Sequence, residues 1–142
     1  MHPIHVILVH FPSALYPFSF VLEGMGRYFD YEPFSHSAFF TLVGGFGFSC
    51  LAIVFGVLDF YKLNQQHNGW KTASYHAVLN ILWFIGFAVL LKLRFNVFVA
   101  EGLPSFGFIV FLGVLNFGMF VSNYLGGELV FRYKIGVQDS NL

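Results

Sequence analysis

Four apolar runs, each long enough to cross a bilayer as a helix, are the feature that most restricts what this chain can become. They cover residues 4–22, 38–58, 73–91 and 103–125, and about 20 helical residues span the roughly 30 Å hydrocarbon core of a membrane. Only 10% of the 142 residues are charged, and 57% are hydrophobic. A typical soluble domain carries about 25% charged residues, so a water-soluble fold of this size lacks the polar surface it needs. The 21 phenylalanines suit a lipid solvent instead, because Phe is inexpensive at a bilayer centre. In hydrocarbon the backbone must satisfy its own hydrogen bonds, which leaves helices for runs of this length. The sequence therefore predicts an all-α integral membrane four-helix bundle, one domain over residues 1–142, with both termini on the same side.

Other classes are closed off quickly. Lys plus Arg balance Asp plus Glu at seven each, so there is no electrostatic footprint for nucleic acid. The single cysteine, Cys50, sits inside an apolar run and forms no intrachain disulfide. The first run lacks a basic leader and carries His5 and His10 in its body, so it reads as a retained helix rather than a signal peptide. No internal repeat is evident by eye. Calling the N-terminal side A, that side holds Lys62, Lys71, Arg132 and Lys134, against Arg27, Lys92 and Arg94 on side B. The positive-inside rule then favours cytoplasmic termini.

An even number of helices delivers distant residues to one end. His2, His5, His10, Asp59, His67, His76 and Glu128 belong to side A, whereas Glu23, Arg27, Asp30, Glu32, His36, Lys92, Arg94 and Glu101 belong to side B. In the second helix Gly45, Ser49, Ala52 and Gly56 form a small-residue stripe that lets a neighbour approach closely, within one chain or across a homodimer, and Asp59 continues it. In the third, Ala73, His76, Asn80, Trp83 and Phe87 share one face. His10 and His76 have similar depth, which makes them the leading pair by spacing. His5 and His10 are about 140° apart around a helix and do not share a narrow face; kinks at Pro12 and Pro17 are a route by which His10 turns inward. In the fourth helix Gly113, Asn116, Asn123 and Gly127 suit interhelical packing.

Four ordered motifs, HPIHVILVHFP at the start, GVLDF at 56–60, HAVLN at 76–80 and GGELVFRYKIGV at 126–137, make the chain resemble the bacterial membrane proteins catalogued as domain of unknown function 2231. The resemblance covers essentially the whole chain and implies four transmembrane helices. It further implies electron-transfer company, since relatives of that family are found joined to Rieske iron-sulfur domains. Val6 stands where many members have a second proline after the histidine. No activity comes with the family.

Three functional expectations follow. A membrane electron carrier would hold a b-type haem near side A, with His10 and His76 as axial imidazoles, Asn80 and Trp83 beside them, Lys71 and Arg132 toward the propionates, and a redox partner such as an iron-sulfur protein. A non-haem centre would gather His5, His10, His76, Asp59 and Glu128 around zinc, iron or a similar ion. A cofactor-free bundle would use the same buried groups as a proton relay or structural network. Hydrolysis has no support: there is no serine elbow and no phosphate loop.

Overall fold

The computed structural model describes residues 3–135, which form four helices: α1 (Pro3–Phe29), α2 (Glu32–Tyr61), α3 (Trp70–Val99) and α4 (Phe106–Phe131). His2 and positions 136–142 lie outside the described residues. All four helices are long and apolar enough to cross a membrane, and bulky apolar side chains such as Phe40, Val54 and Phe117 cover the outside of the bundle. The bundle expected from the apolar runs is therefore present.

The helices run further than the hydropathy suggests. α1 continues through Glu23 to Phe29, and α3 continues through Lys92 and Arg94 to Val99. α1 also stays helical through Pro12 and Pro17. Local chemistry sets two of the starts: Pro33 lies in the first turn of α2, where its missing N–H costs nothing, and the Ser105 hydroxyl accepts the Phe108 amide at 3.2 Å to cap α4.

α1 and α2 pack most closely, along the small-residue stripe. A Cβ at Gly45 would lie 2.9 Å from the Tyr16 ring, and one at Gly56 would lie 2.9 Å from the His5 ring. Glycine at these two positions makes room for rings, so the stripe serves packing inside the chain. Asn123 donates to Ser13 at 3.1 Å, joining α4 to α1. α1 and α3 stand on a diagonal, with no Cα atoms within 8 Å of each other among the described residues; only long side chains cross it.

Those crossing pairs reveal an internal repeat. Tyr16 and Phe87 stack with ring centroids 3.7 Å apart, and Glu23 pairs with Arg94 at 2.5 Å; the partners in both pairs are 71 positions apart. The same offset relates His5 to His76. It also relates Asp30 (φ 50°) to Glu101 (φ 51°), the left-handed residues that end α1 and α3. On each helix the three inward residues are thus separated by eleven and seven positions, close to three and two full turns. The α1–α2 and α3–α4 hairpins are two copies of one plan, facing each other across the diagonal. The repeat is absent from the sequence reading because what persists is position rather than residue type: Tyr faces Phe, and Glu faces Arg.

Asp30 and Glu101 adopt a backbone that costs L-residues about 1 kcal/mol and costs glycine almost nothing. Glu101→Gly is expected to stabilise the bundle by about 1 kcal/mol, as a rise in the midpoint of thermal unfolding in detergent; an unchanged or lower midpoint would show that the turn carries no such strain.

Candidate functional site

At side A the two copies of the plan each hold one imidazole against the partner helix of its own hairpin. His5 on α1 places Nδ1 2.9 Å from the carbonyl of Ala52 on α2. His76 on α3 places Nδ1 2.8 Å from the carbonyl of Ser122 on α4. A carbonyl oxygen only accepts, so both Nδ1 atoms carry a proton, and in the neutral ring Nε2 presents a lone pair. Each ring also lies against a glycine one turn beyond its carbonyl, Gly56 for His5 and Gly126 for His76, where an added Cβ would come within 2.9 Å of Cε1. Ala52 and Ser122, like Gly56 and Gly126, are 70 positions apart. The two imidazoles are thus held by the same device.

The surroundings are partly polar. Asn80, one turn deeper than His76, donates its amide N–H to Nε2 of His76 at 3.0 Å. Trp83 continues this face, with its ring over Gly118 and a buried indole N–H that has no partner among the described residues. Tyr16 shares a 3.0 Å hydrogen bond with Ser49 and, stacked on Phe87, closes the interior below.

His10, by contrast, is exposed, and its Nδ1–H donates to the Val6 carbonyl on its own helix at 2.6 Å. The unbroken α1 leaves it on the outer face. Depth alone pairs His10 with His76; the repeat and the matching carbonyl bonds pair His5 with His76. The remaining candidates stand nearer the rim. Lys71 and Arg132 are exposed, Arg132 3.5 Å from half-buried Glu128, and Asp59 is half-buried at the end of α2. The proposed donors His5, His10, His76, Asp59 and Glu128 do not converge: no group of three or more His, Cys, Asp or Glu side chains able to hold a metal ion occurs among the described residues.

Sequence reasoning missed the polar cluster toward side B. The sequence places Glu23 and Arg94 on side B without pairing them, and they are 1% and 0% exposed. Arg94 Nε donates to Glu23 Oε1, Arg94 Nη2 donates to the Ser35 carbonyl at 2.8 Å and hydroxyl at 2.7 Å, and the Ser35 hydroxyl donates to Glu23 Oε2 at 2.6 Å. The cluster joins α1, α2 and α3. The signal available in the sequence was the shared 71-residue offset, which sets the only acid of α1 opposite an arginine of α3.

Neither the curated proteins nor the solved structures contain a match to this chain. A family model does: the one described as predicted membrane protein (DUF2231) matches residues 1–139. With four membrane-length helices and nearly its whole length matched, the chain belongs to this family of predicted membrane proteins.

Proposed function

We propose that the protein is a small electron carrier of the bacterial inner membrane that holds one b-type haem between the imidazoles of His5 and His76, near side A and with cytoplasmic termini. The supporting observation is the duplicated imidazole device. A ring whose Nδ1–H is fixed by a carbonyl has its tautomer and orientation set and its Nε2 basicity raised, which is how ligating histidines are prepared. Two such rings, on α1 and α3, would hold the iron of a haem, which supplies one-electron chemistry when bound. The small residues Gly56 and Gly126 bring backbone close beside them, and the wide α1–α3 diagonal is spanned by side chains rather than backbone.

In this reading His5 and His76 would hold the iron; Ala52 and Ser122 orient them through their carbonyls, and the Tyr16–Phe87 stack keeps the interior apolar below. Arg132 and Lys71 at the rim supply cations for propionates, and an iron-sulfur protein is a suitable electron partner. The converging zinc or iron centre gains no support from the donor positions.

The test is the haem content of protein purified from membranes of haem-replete cells, measured as the pyridine haemochrome. About one protohaem per chain, lost in His5→Ala/His76→Ala while the double variant still assembles, is the expected result. Wild-type protein that is folded yet takes up no haem on supplementation would overturn the proposal.

A further inference from the structure

We infer that the groove between α2 and α3 toward side B is a binding site for one anionic phospholipid, which lays an acyl chain along the groove and meets Lys92 with its headgroup. Phe39, Val43 and Phe46 of α2 and Ala88, Leu91 and Phe95 of α3 line a groove of about 320 Å3. None of these residues takes part in the haem reading above. From Phe39 to Phe46 the groove follows α2 for seven residues, about 10 Å. Rings bound it at both ends: Phe39 stacks on Phe98 at 4.3 Å toward side B, and Phe46 stacks on Phe84 at 4.7 Å toward the middle of the bundle. Its walls are apolar, and the charged member of its lining is Lys92.

Lys92 sets this groove apart from the rest of the lipid-facing surface. It is exposed on α3 seven residues, about 10 Å, short of the helix end at Val99, with Phe95 and Phe98 beyond it toward side B. An ammonium among such residues is costly unless a counter-charge or water meets it. Among the described residues no ion pair includes Lys92, and the carboxylate of Glu23 is already taken by Arg94 and Ser35. A lysine stem covers apolar surface while its head seeks the interface, and the phosphate of a lipid seated in the groove supplies the missing charge there. A net-negative headgroup does so fully, whereas a zwitterionic one brings its own cation. The repeat shows that helix pairing alone does not produce this arrangement. In the α1–α4 seam, at the offset of 71, Val21 stands in the place of Lys92 and Phe20 in that of Leu91. There the Phe20 ring lies over Gly113, 3.1 Å from where a Cβ would stand. That seam packs a ring of its own and lacks the cation.

The experiment uses full-length protein, freed of lipid in detergent and titrated with phosphatidylglycerol or phosphatidylcholine of the same acyl chains, with bound lipid and oligomeric state read by native mass spectrometry. Wild type is expected to take up one phosphatidylglycerol per chain about fivefold more tightly than phosphatidylcholine, the contribution of one cation near an anionic headgroup. Lys92→Gln should abolish that preference, lowering the affinity for phosphatidylglycerol about fivefold and leaving that for phosphatidylcholine unchanged. Ala88→Phe places a ring in the groove and should weaken both lipids; Lys92→Gln, at an exposed position, keeps the test decisive if Ala88→Phe fails to assemble. Equal affinity of wild type for the two lipids, a preference that persists in Lys92→Gln, or binding unchanged in a folded Ala88→Phe would overturn the inference. So would a lipid-free dimer that Ala88→Phe dissociates, which would put a second copy of the chain in the groove.

Discussion

Arg94→Leu is expected to destabilise the folded bundle by about 3–5 kcal/mol, the range for removing one partner of a buried ion pair. Glu23 is 1% exposed and directs both carboxylate oxygens into the cluster, one to Arg94 and one to Ser35. Without the guanidinium its charge stays in the bundle with a single hydroxyl for company, and the Ser35 carbonyl loses the donor on α3. Glu23→Leu/Arg94→Leu should recover most of the loss, since apolar replacement of a whole buried pair is often neutral or stabilising. Unfolding in mixed micelles of detergent and sodium dodecyl sulfate, followed by circular dichroism, reads both variants. A single variant as stable as wild type would show that the pair does not hold α1 against α3.

On the proposed haem reading, Gly56→Val and Gly126→Val are expected to evict the imidazoles they face and to weaken hemin binding about five- to 150-fold, from the 1–3 kcal/mol cost of overpacking a close contact. Each added Cβ would meet Cε1 of its histidine at 2.9 Å, inside any normal contact, and a branched side chain extends further. The ring has to turn, and turning it breaks the carbonyl bond from Ala52 or Ser122 that fixes the tautomer. Gly47→Val and Gly127→Val are the controls, because a Cβ there meets nothing within 4 Å. Equal hemin affinities across all four variants would show that the glycines play no part in seating the rings.

Much of this architecture is legible in the sequence, because the hydrocarbon thickness converts run length into helices with little freedom. The stripe Gly45, Ser49, Ala52 and Gly56 was legible for the same reason, since small residues at helical spacing have one use in a membrane. Its partner was not: spacing shows that a face is small, and only the structure shows α1 against it. Hydropathy ended α1 at Glu23 because a lone charge is costly in lipid, whereas Glu23 is not alone. Neither residue announces the other until the offset of 71 is known. Between His5 and His10 the sequence supplied depth and an angular separation, so one ring at most could face inward, but the choice depends on how α1 is rotated in the bundle. A kink at Pro12 would have favoured His10; the helix runs through it, and His5 faces Ala52.

The most direct test of the paired-imidazole site is the dithionite-reduced minus oxidised spectrum of wild type, His5→Ala and His10→Ala, prepared side by side at matched folded protein. The expected result is a b-type difference spectrum in wild type and His10→Ala that is lost in His5→Ala. A spectrum that survives in His5→Ala and vanishes in His10→Ala, or one absent from all three, would contradict the pairing of His5 with His76.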